Sequence, residues 1–344
     1  MFIYYSNFVS SRDKNMIITK TPLRLSIGGG GTDLPFFYPK FGGEMITAAI
    51  NKYIYVTVSE RKFHDEFRVA YSKTENVKNI ADIENQRVKA TLNLLGINGK
   101  YLEISTISDV PGSSGMGSSS AFVVGLLKAL HAYKGESVSS KILAEEASKI
   151  EIEMLKEPIG KQDQYASAMG GINHLKINRD GNVLASPLNM SYETLRDLES
   201  NLQMFFTGII RSASEVLTHQ QKSVTSEEDK MTEMKQIKQI GLDIKEALEK
   251  GDTKKFGRLL NLHWETKKKT SSKISNSQID KWYHVALQNG ALGGKIMGAG
   301  GGGFFLFYCA NNQGEFIRAM EKEGLKYVPF RFDMDGSKIL LDAR

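Results

Sequence analysis

Cysteine occurs once in 344 residues, at Cys309, so no disulfide can form within the chain. A lone thiol fits a reducing compartment, and the expected location is the cytoplasm. Histidine is scarce too. The six (His64, His131, His174, His219, His263 and His284) show no metal-ligand spacing. Long apolar runs are missing: a stretch such as Phe304 to Ala310 is far short of the ~20 residues of a membrane-spanning helix, so no membrane partner is expected. Charge of one sign is missing as well. There are 45 basic and 39 acidic residues, a net +6, and the basic ones are scattered. Their densest cluster, Lys267-Lys268-Lys269, reads as a solvated helix face. Nucleic acid is therefore not an expected partner. The mild positive excess suits a small anionic ligand. Neither Cys309 nor any serine sits in a hydrolase-type elbow.

What is present is a globular composition, 41% hydrophobic and 24% charged. Residues 1–15 are apolar first and charged afterwards, the reverse of a secretory leader, and are expected to be a poorly ordered extension. From Ile17 the chain alternates between strand-like and helix-like segments. Gly42 to Arg61 reads as a strand pair, and Asp180-Gly181 marks a hairpin. The second half is mostly helical, with helices expected over Ser212–Lys222, Ser226–Lys250, Thr253–Lys269 and Gln278–Asn289. A strand over Leu325–Phe332 closes the chain. The fold class is α+β with two lobes: a strand-and-helix domain over 16–187 and a helix-rich domain over 188–344.

Three glycine-rich segments stand out: Gly28 to Gly31, Gly112 to Gly117 and Gly298 to Gly303. Glycine serves where backbone needs φ > 0 or must approach a ligand closely. The central one, Pro111-Gly112-Ser113-Ser114-Gly115-Met116-Gly117-Ser118-Ser119-Ser120, runs into a helix that is apolar on nearly all sides. Such a loop offers unpaired N–H groups and the positive end of a helix dipole, a ready anion site. No Gly-Lys-Ser/Thr follows, so it is not a Walker A loop. The third segment matches G-x-G-x-x-G, but a strand rather than a helix follows it, which argues against a dinucleotide fold.

In order and spacing the three loops resemble the GHMP kinase superfamily. Thr21 to Asp33 looks like its first motif, Pro111 to Ala121 like its second and Lys295 to Gly303 like its third. Within the superfamily, Arg24-Leu25-Ser26-Ile27 followed by Gly28-Gly29-Gly30-Gly31-Thr32-Asp33 resembles the sugar 1-kinases that act on D-glycero-D-manno-heptose 7-phosphate and on L-fucose. Thr207 to Ala213 and the chain length favour the heptose phosphate branch. The Gly-Glu-His of galactokinases is absent.

The resemblance implies an ATP-dependent kinase that makes a 1,7-bisphosphate from the heptose phosphate, feeding nucleotide-activated heptose and surface glycans. L-fucokinase, galactokinase or a non-catalytic sensor are the alternatives. A homodimer is left open. The implied cofactors are ATP and Mg²⁺. Pro111, Gly112, Ser113, Ser114, Gly115, Met116, Gly117, Ser118 and Ser119 would cradle the ATP phosphates. Ser119 and Glu151 would hold the metal, with Glu153 as competitor to Glu151. Asp163 would accept the hydroxyl proton or orient it, assisted by Arg24 and Lys161. Gly29, Gly30, Gly31, Thr32 and Asp33 would bind the sugar. Arg211 would bind the substrate's phosphate, and Gly300 and Gly301 would close over it.

Overall fold

Buried and half-buried side chains alternate along Met16–Lys20 and set the first strand, β1 (Met16–Gly28), against a partner on each side. The computed structural model describes residues 16–343, so the expected extension over 1–15 lies outside the described residues. The first sheet holds β1, β2 (Gly43–Glu60), β3 (Phe67–Ala70), β4 (Thr74–Val77), β5 (Leu102–Ser108), β6 (Ile172–Ile177) and β7 (Val183–Pro187). The second holds β8 (Leu202–Phe206), β9 (Gly293–Ile296), β10 (Phe304–Tyr308) and β11 (Lys326–Tyr327), in the order β11-β8-β10-β9. A last strand, β12 (Lys338–Asp342), returns to the first sheet and pairs with β1, giving the order β12-β1-β2-β5-β3-β4.

Three expectations change here. Gly42 to Arg61 forms one long strand, not a pair. β2 spans both neighbours, pairing with β6 over Gly43–Ala48 and with β5 over Ile54–Glu60. The closing strand over Leu325–Phe332 shrinks to the two residues of β11. β12, which was not foreseen, carries the end of the second half back to the first sheet, so the span 188–344 does not stay together. Pro22 survives in β1 because the register with β2 shifts between Pro22 and Leu23, beyond the Ile17–Lys20 stretch that β12 covers.

The apolar helix is Ser118–Lys134, with thirteen of its residues buried. It lies on β1 and β2. Gly125 brings its backbone so close that a Cβ there would sit 2.8 Å from Thr21 Oγ1, and Thr19 Oγ1 donates to the Gly125 carbonyl at 3.0 Å. The second sheet has its own aromatic core of Phe205, Phe305, Phe307, Phe316 and Trp264. The four expected helices of this half form as Ala213–Ser226, Glu228–Glu249, Thr253–Thr270 and Ser277–Gln288. Ser212, Asp252 and Asn276 cap three of them through their side chains. Among the described residues no helix is long and apolar enough to cross a membrane.

Candidate active site

The three glycine loops meet at one cavity of about 620 Å³ between the sheets. The first loop turns sharply at the end of β1. Gly29 has φ +68°, and a Cβ on it would stand 1.8 Å from the Glu44 carbonyl oxygen. Thr32 Oγ1 donates to the Gly29 carbonyl at 2.8 Å and clasps the turn, so its hydroxyl supports the loop rather than facing the cavity. Gly30, Gly31 and Asp33 do face it. The Asp33 side chain is buried. Its Oδ2 accepts the Gln162 N–H at 3.1 Å, while Oδ1 has no partner among the described residues. Burial first, and the neighbouring Asp163 charge second among the raising causes, lift its pKa from an ordinary 3.8 to about 6.

The second loop ends at Gly117, which starts the buried helix with φ +73° and no side-chain cap. The first-turn N–H groups and the helix dipole therefore face the cavity. Ser113, Gly115, Gly117, Ser118 and Ser119 line it. Ser114 and Met116 are buried behind the loop, and Pro111 and Gly112 are exposed at its approach.

The third loop buttresses the second. A Cβ on Gly298 would lie 2.7 Å from the Gly115 carbonyl oxygen, and one on Gly303 would lie 2.0 Å from that of Ser114. These glycines serve backbone-to-backbone contact, where the sequence suggested closure over a ligand. Only Gly298 and Ala299 of this loop reach the cavity. Gly300 accepts the Arg211 Nε–H and Gly301 donates to the Ile274 carbonyl at 2.7 Å, so both face protein.

Asp163 starts the helix Gln162–Met169. Arg24 grips it with Nε on Oδ1 at 2.7 Å and Nη2 on Oδ2 at 2.8 Å, and donates Nη1 to the Gly115 carbonyl at 2.7 Å. A Cβ on Gly117 would lie 3.1 Å from Asp163 Oδ2, so the carboxylate abuts the phosphate loop. Lys161 is not brought to this place. Its amine donates to the Gly181 carbonyl at 2.7 Å, at the β6–β7 turn and near the Tyr38 ring.

Comparison with known proteins fits this geometry. The model of the GHMP kinases N terminal domain matches residues 76–171, and that of the GHMP kinases C terminal domain matches 244–326. A D-glycero-alpha-D-manno-heptose 7-phosphate kinase from Campylobacter jejuni is 33% identical over 333 residues, covering 94% of this chain and 98% of the relative. The chain belongs to the GHMP kinase family. An L-fucokinase/L-fucose-1-P guanylyltransferase from Bacteroides fragilis is 23% identical over 86% of this chain but only 34% of its own length. A crystal structure described as a D-glycero-D-manno-heptose 1-phosphate kinase from Bacteriodes thetaiotaomicron superposes with a TM-score of 0.78 at 29% identity, over 94% of this chain and 99% of that one. This GHMP kinase is an ATP-dependent sugar kinase.

In this GHMP kinase the choice between Glu151 and Glu153 falls to a π-helical turn, Lys149–Met154, that directs Glu151 inward and leaves Glu153 exposed. Yet Glu151 does not line the cavity. Oε2 accepts from Ser120 Oγ at 2.6 Å and from Gln164 Nε2 at 2.7 Å, and Oε1 accepts from Arg87 Nε at 3.1 Å. The hydroxyl on Glu151 is thus that of Ser120, while Ser119 faces the cavity. Burial raises the Glu151 pKa, and the Arg87 charge opposes it. Arg87 and Glu157, which the sequence did not single out, line the cavity. They are joined at 3.0 Å, and Glu157 also accepts from Ser214 Oγ at 3.2 Å. Only the acidic end of the preceding helix hinted at Glu157.

The GHMP kinase carries more buried basic residues around this cavity than its sequence suggested. Arg211 reaches the cavity with Nη1 and Nη2 unpartnered among the described residues. Burial and the Arg24 charge lower its pKa to about 10, which leaves it charged at neutral pH. Lys267 is the correction to the solvated face expected of Lys267-Lys268-Lys269. It is 4% exposed, lines the cavity and donates to the Gly298 carbonyl at 2.5 Å. Lys295, fully buried, has no partner among the described residues, and neither ring nitrogen of His263 has one.

Proposed function

We propose that the chain transfers the γ-phosphoryl group of ATP to the anomeric hydroxyl of D-glycero-D-manno-heptose 7-phosphate, giving the 1,7-bisphosphate for nucleotide-activated heptose. One observation carries the reading. A single cavity holds an uncapped helix N-terminus and, beside the phosphate loop at Gly115, an arginine whose two terminal nitrogens are unpartnered among the described residues. Both the helix N-terminus and the free guanidinium suit phosphate oxygens. The full-length likeness to a relative named for this substrate supports the same choice.

In this reading the N–H groups of the phosphate loop hold the ATP phosphates. Asp33 accepts hydrogen bonds from sugar hydroxyls through its unpartnered Oδ1. Asp163 orients the anomeric hydroxyl and takes its proton as the oxygen attacks the γ-phosphorus and the bond to the ADP oxygen breaks. Both Asp163 oxygens already accept from Arg24, which leaves each one further lone pair for that task. A loose transition state asks for little base strength, so positioning dominates. Arg24 ties Asp163 to the phosphate loop and offsets charge on the moving phosphoryl group. Lys161 has no part here, since its amine is spent on the Gly181 carbonyl.

Mg²⁺ belongs to the proposal as well. Mg²⁺ takes only one or two protein oxygens beside the phosphates and waters. The Ser119 hydroxyl is the oxygen open to it. Glu151, closed by three donors, reaches the loop through Ser120 and fixes its position. When bound, the metal neutralises phosphate charge.

The test is ADP release with ATP and Mg²⁺ against D-glycero-D-manno-heptose 7-phosphate, L-fucose, D-galactose and mevalonate. Turnover on the heptose phosphate alone is expected. Turnover confined to another acceptor overturns the substrate while leaving the kinase.

A further inference from the structure

Lys267 is one of three consecutive lysines, and it alone turns inward. Lys268 pairs with Glu265 and Asp280, and Lys269 pairs with Glu233, all at the surface. On a helix successive residues point ~100° apart, so one of the three must leave the solvent face when its neighbours hold it. Burying an ammonium is costly unless it is paired. Here the only partner among the described residues is one neutral carbonyl, Gly298 O. Around it stand further basic groups and the Asp33 carboxyl. Arg211 and Arg24 oppose its charge and Asp33 favours it, while Lys295 and the buried His263 lie within reach of its field. Its pKa is lowered to about 7, mostly by burial.

With Arg24 paired to Asp163 and Arg87 to Glu157, Arg211 and Lys267 are the cavity-lining bases without a carboxylate partner among the described residues, and a bound anion would supply one. The ATP side is already furnished, by the helix N-terminus and by Arg24 on the phosphate loop. Lys267 comes from a helix of the second half, and its partner Gly298 packs on the phosphate loop at Gly115, so the amine stands at the border between that loop and the rest of the cavity. It shares its field with Asp33, the carboxylate left open for the sugar.

We propose that Lys267, flanked by Arg211, seats the acceptor's own phosphate and makes this kinase select phosphorylated over free sugars. The inference rests on the sugar-kinase reading and is independent of which sugar phosphate is used. Lys267 then acts as a specificity residue. Two of its N–H groups remain for phosphate oxygens once Gly298 has taken the third. A bound dianion supplies the missing partner and draws a proton onto the amine.

The experiment compares kcat/KM for D-glycero-D-manno-heptose 7-phosphate with free D-glycero-D-manno-heptose, and for D-mannose 6-phosphate with D-mannose, in the wild type and in Lys267→Met and Lys267→Arg. Wild type should prefer the phosphorylated member of a pair. Lys267→Met should cut that preference at least ~30-fold, through KM of the phosphorylated sugar, with KM for ATP changed less than ~3-fold. Lys267→Arg should restore part of it. If the heptose phosphate is inert but mannose 6-phosphate shows this pattern, the heptose assignment fails and the phosphate seat stands. A wild type that prefers free sugars overturns the seat, as does a Lys267→Met loss that is equal for both members of a pair.

A second readout needs no variant. Calorimetric titration of the wild type with the preferred sugar phosphate at about pH 8, in two buffers of different ionisation enthalpy, should show net proton uptake, because burial in the unliganded cavity lowers the pKa of the Lys267 amine.

Discussion

Arg24 and Asp163 meet fork to fork across 139 positions of the chain, and the same guanidinium holds the phosphate-loop carbonyl of Gly115. Aspartate, arginine and loop therefore move as one unit. The Arg24 side chain is 4% exposed, and the Asp163 carboxylate is the anion that pairs with it. Asp163→Asn should fold, with a normal far-UV spectrum, and lose ~10²–10⁴ of kcat. Turnover at the wild-type level would remove Asp163 from the mechanism. Arg24→Lys keeps the charge but cannot form the fork. It should also lose at least ~10² of kcat.

Asp33 predicts a trade between stability and function. Folding favours its protonated form, because burial lifts the pKa from 3.8 to about 6. That favourable contribution is whole below about pH 4 and is lost as pH rises through 6. At neutral pH the ionised acid thus costs up to ~3 kcal/mol. Asp33→Asn should raise the melting temperature of the ligand-free protein by a few degrees near pH 7, with the gain shrinking as pH falls from 6 toward 4. The same variant should raise KM for the acceptor at least ~10-fold, since the open acceptor oxygen is gone. Equal melting temperatures across this range would show that Asp33 carries no buried charge.

Gly160 has no room for a side chain. A Cβ there would fall 1.9 Å from Asp33 Oδ2. Gly160→Ala must push Asp33 out of place, so KM for the acceptor should rise at least ~10-fold. Binding of a fluorescent ATP analogue, which depends on the phosphate loop, should stay within ~3-fold. Loss of nucleotide binding instead would show that the displacement spreads to the loop.

Much of this site could be read from the residues, and the misses have local causes. The second loop was legible because glycines and serines abut a helix apolar on all sides, a pairing that marks a buried helix N-terminus. Asp33, Asp163 and Arg24 followed from their motifs, and the structure brings all three to the cavity. Lys267 was hidden in a lysine run, where periodicity cannot say which member turns inward. Lys161 neighbours Gln162 and Asp163, but adjacency does not fix direction, and its long side chain reaches the β6–β7 turn instead. The π-helical turn decided between Glu151 and Glu153, and no spacing rule foretells it. The return of β12 to β1 is a long-range pairing, and its Ile339-Leu340-Leu341 run alone does not name a partner strand.

The central claim is that a sugar already carrying one phosphate gains a second at its anomeric carbon. Phosphorus NMR on D-glycero-D-manno-heptose 7-phosphate incubated with the enzyme, ATP and Mg²⁺ tests it most directly. The predicted result is one new sugar phosphorus signal, coupled to the anomeric proton, growing in step with ADP while the 7-phosphate signal persists. ADP formed without that signal, or a new phosphate on a carbon other than the anomeric one, contradicts the account.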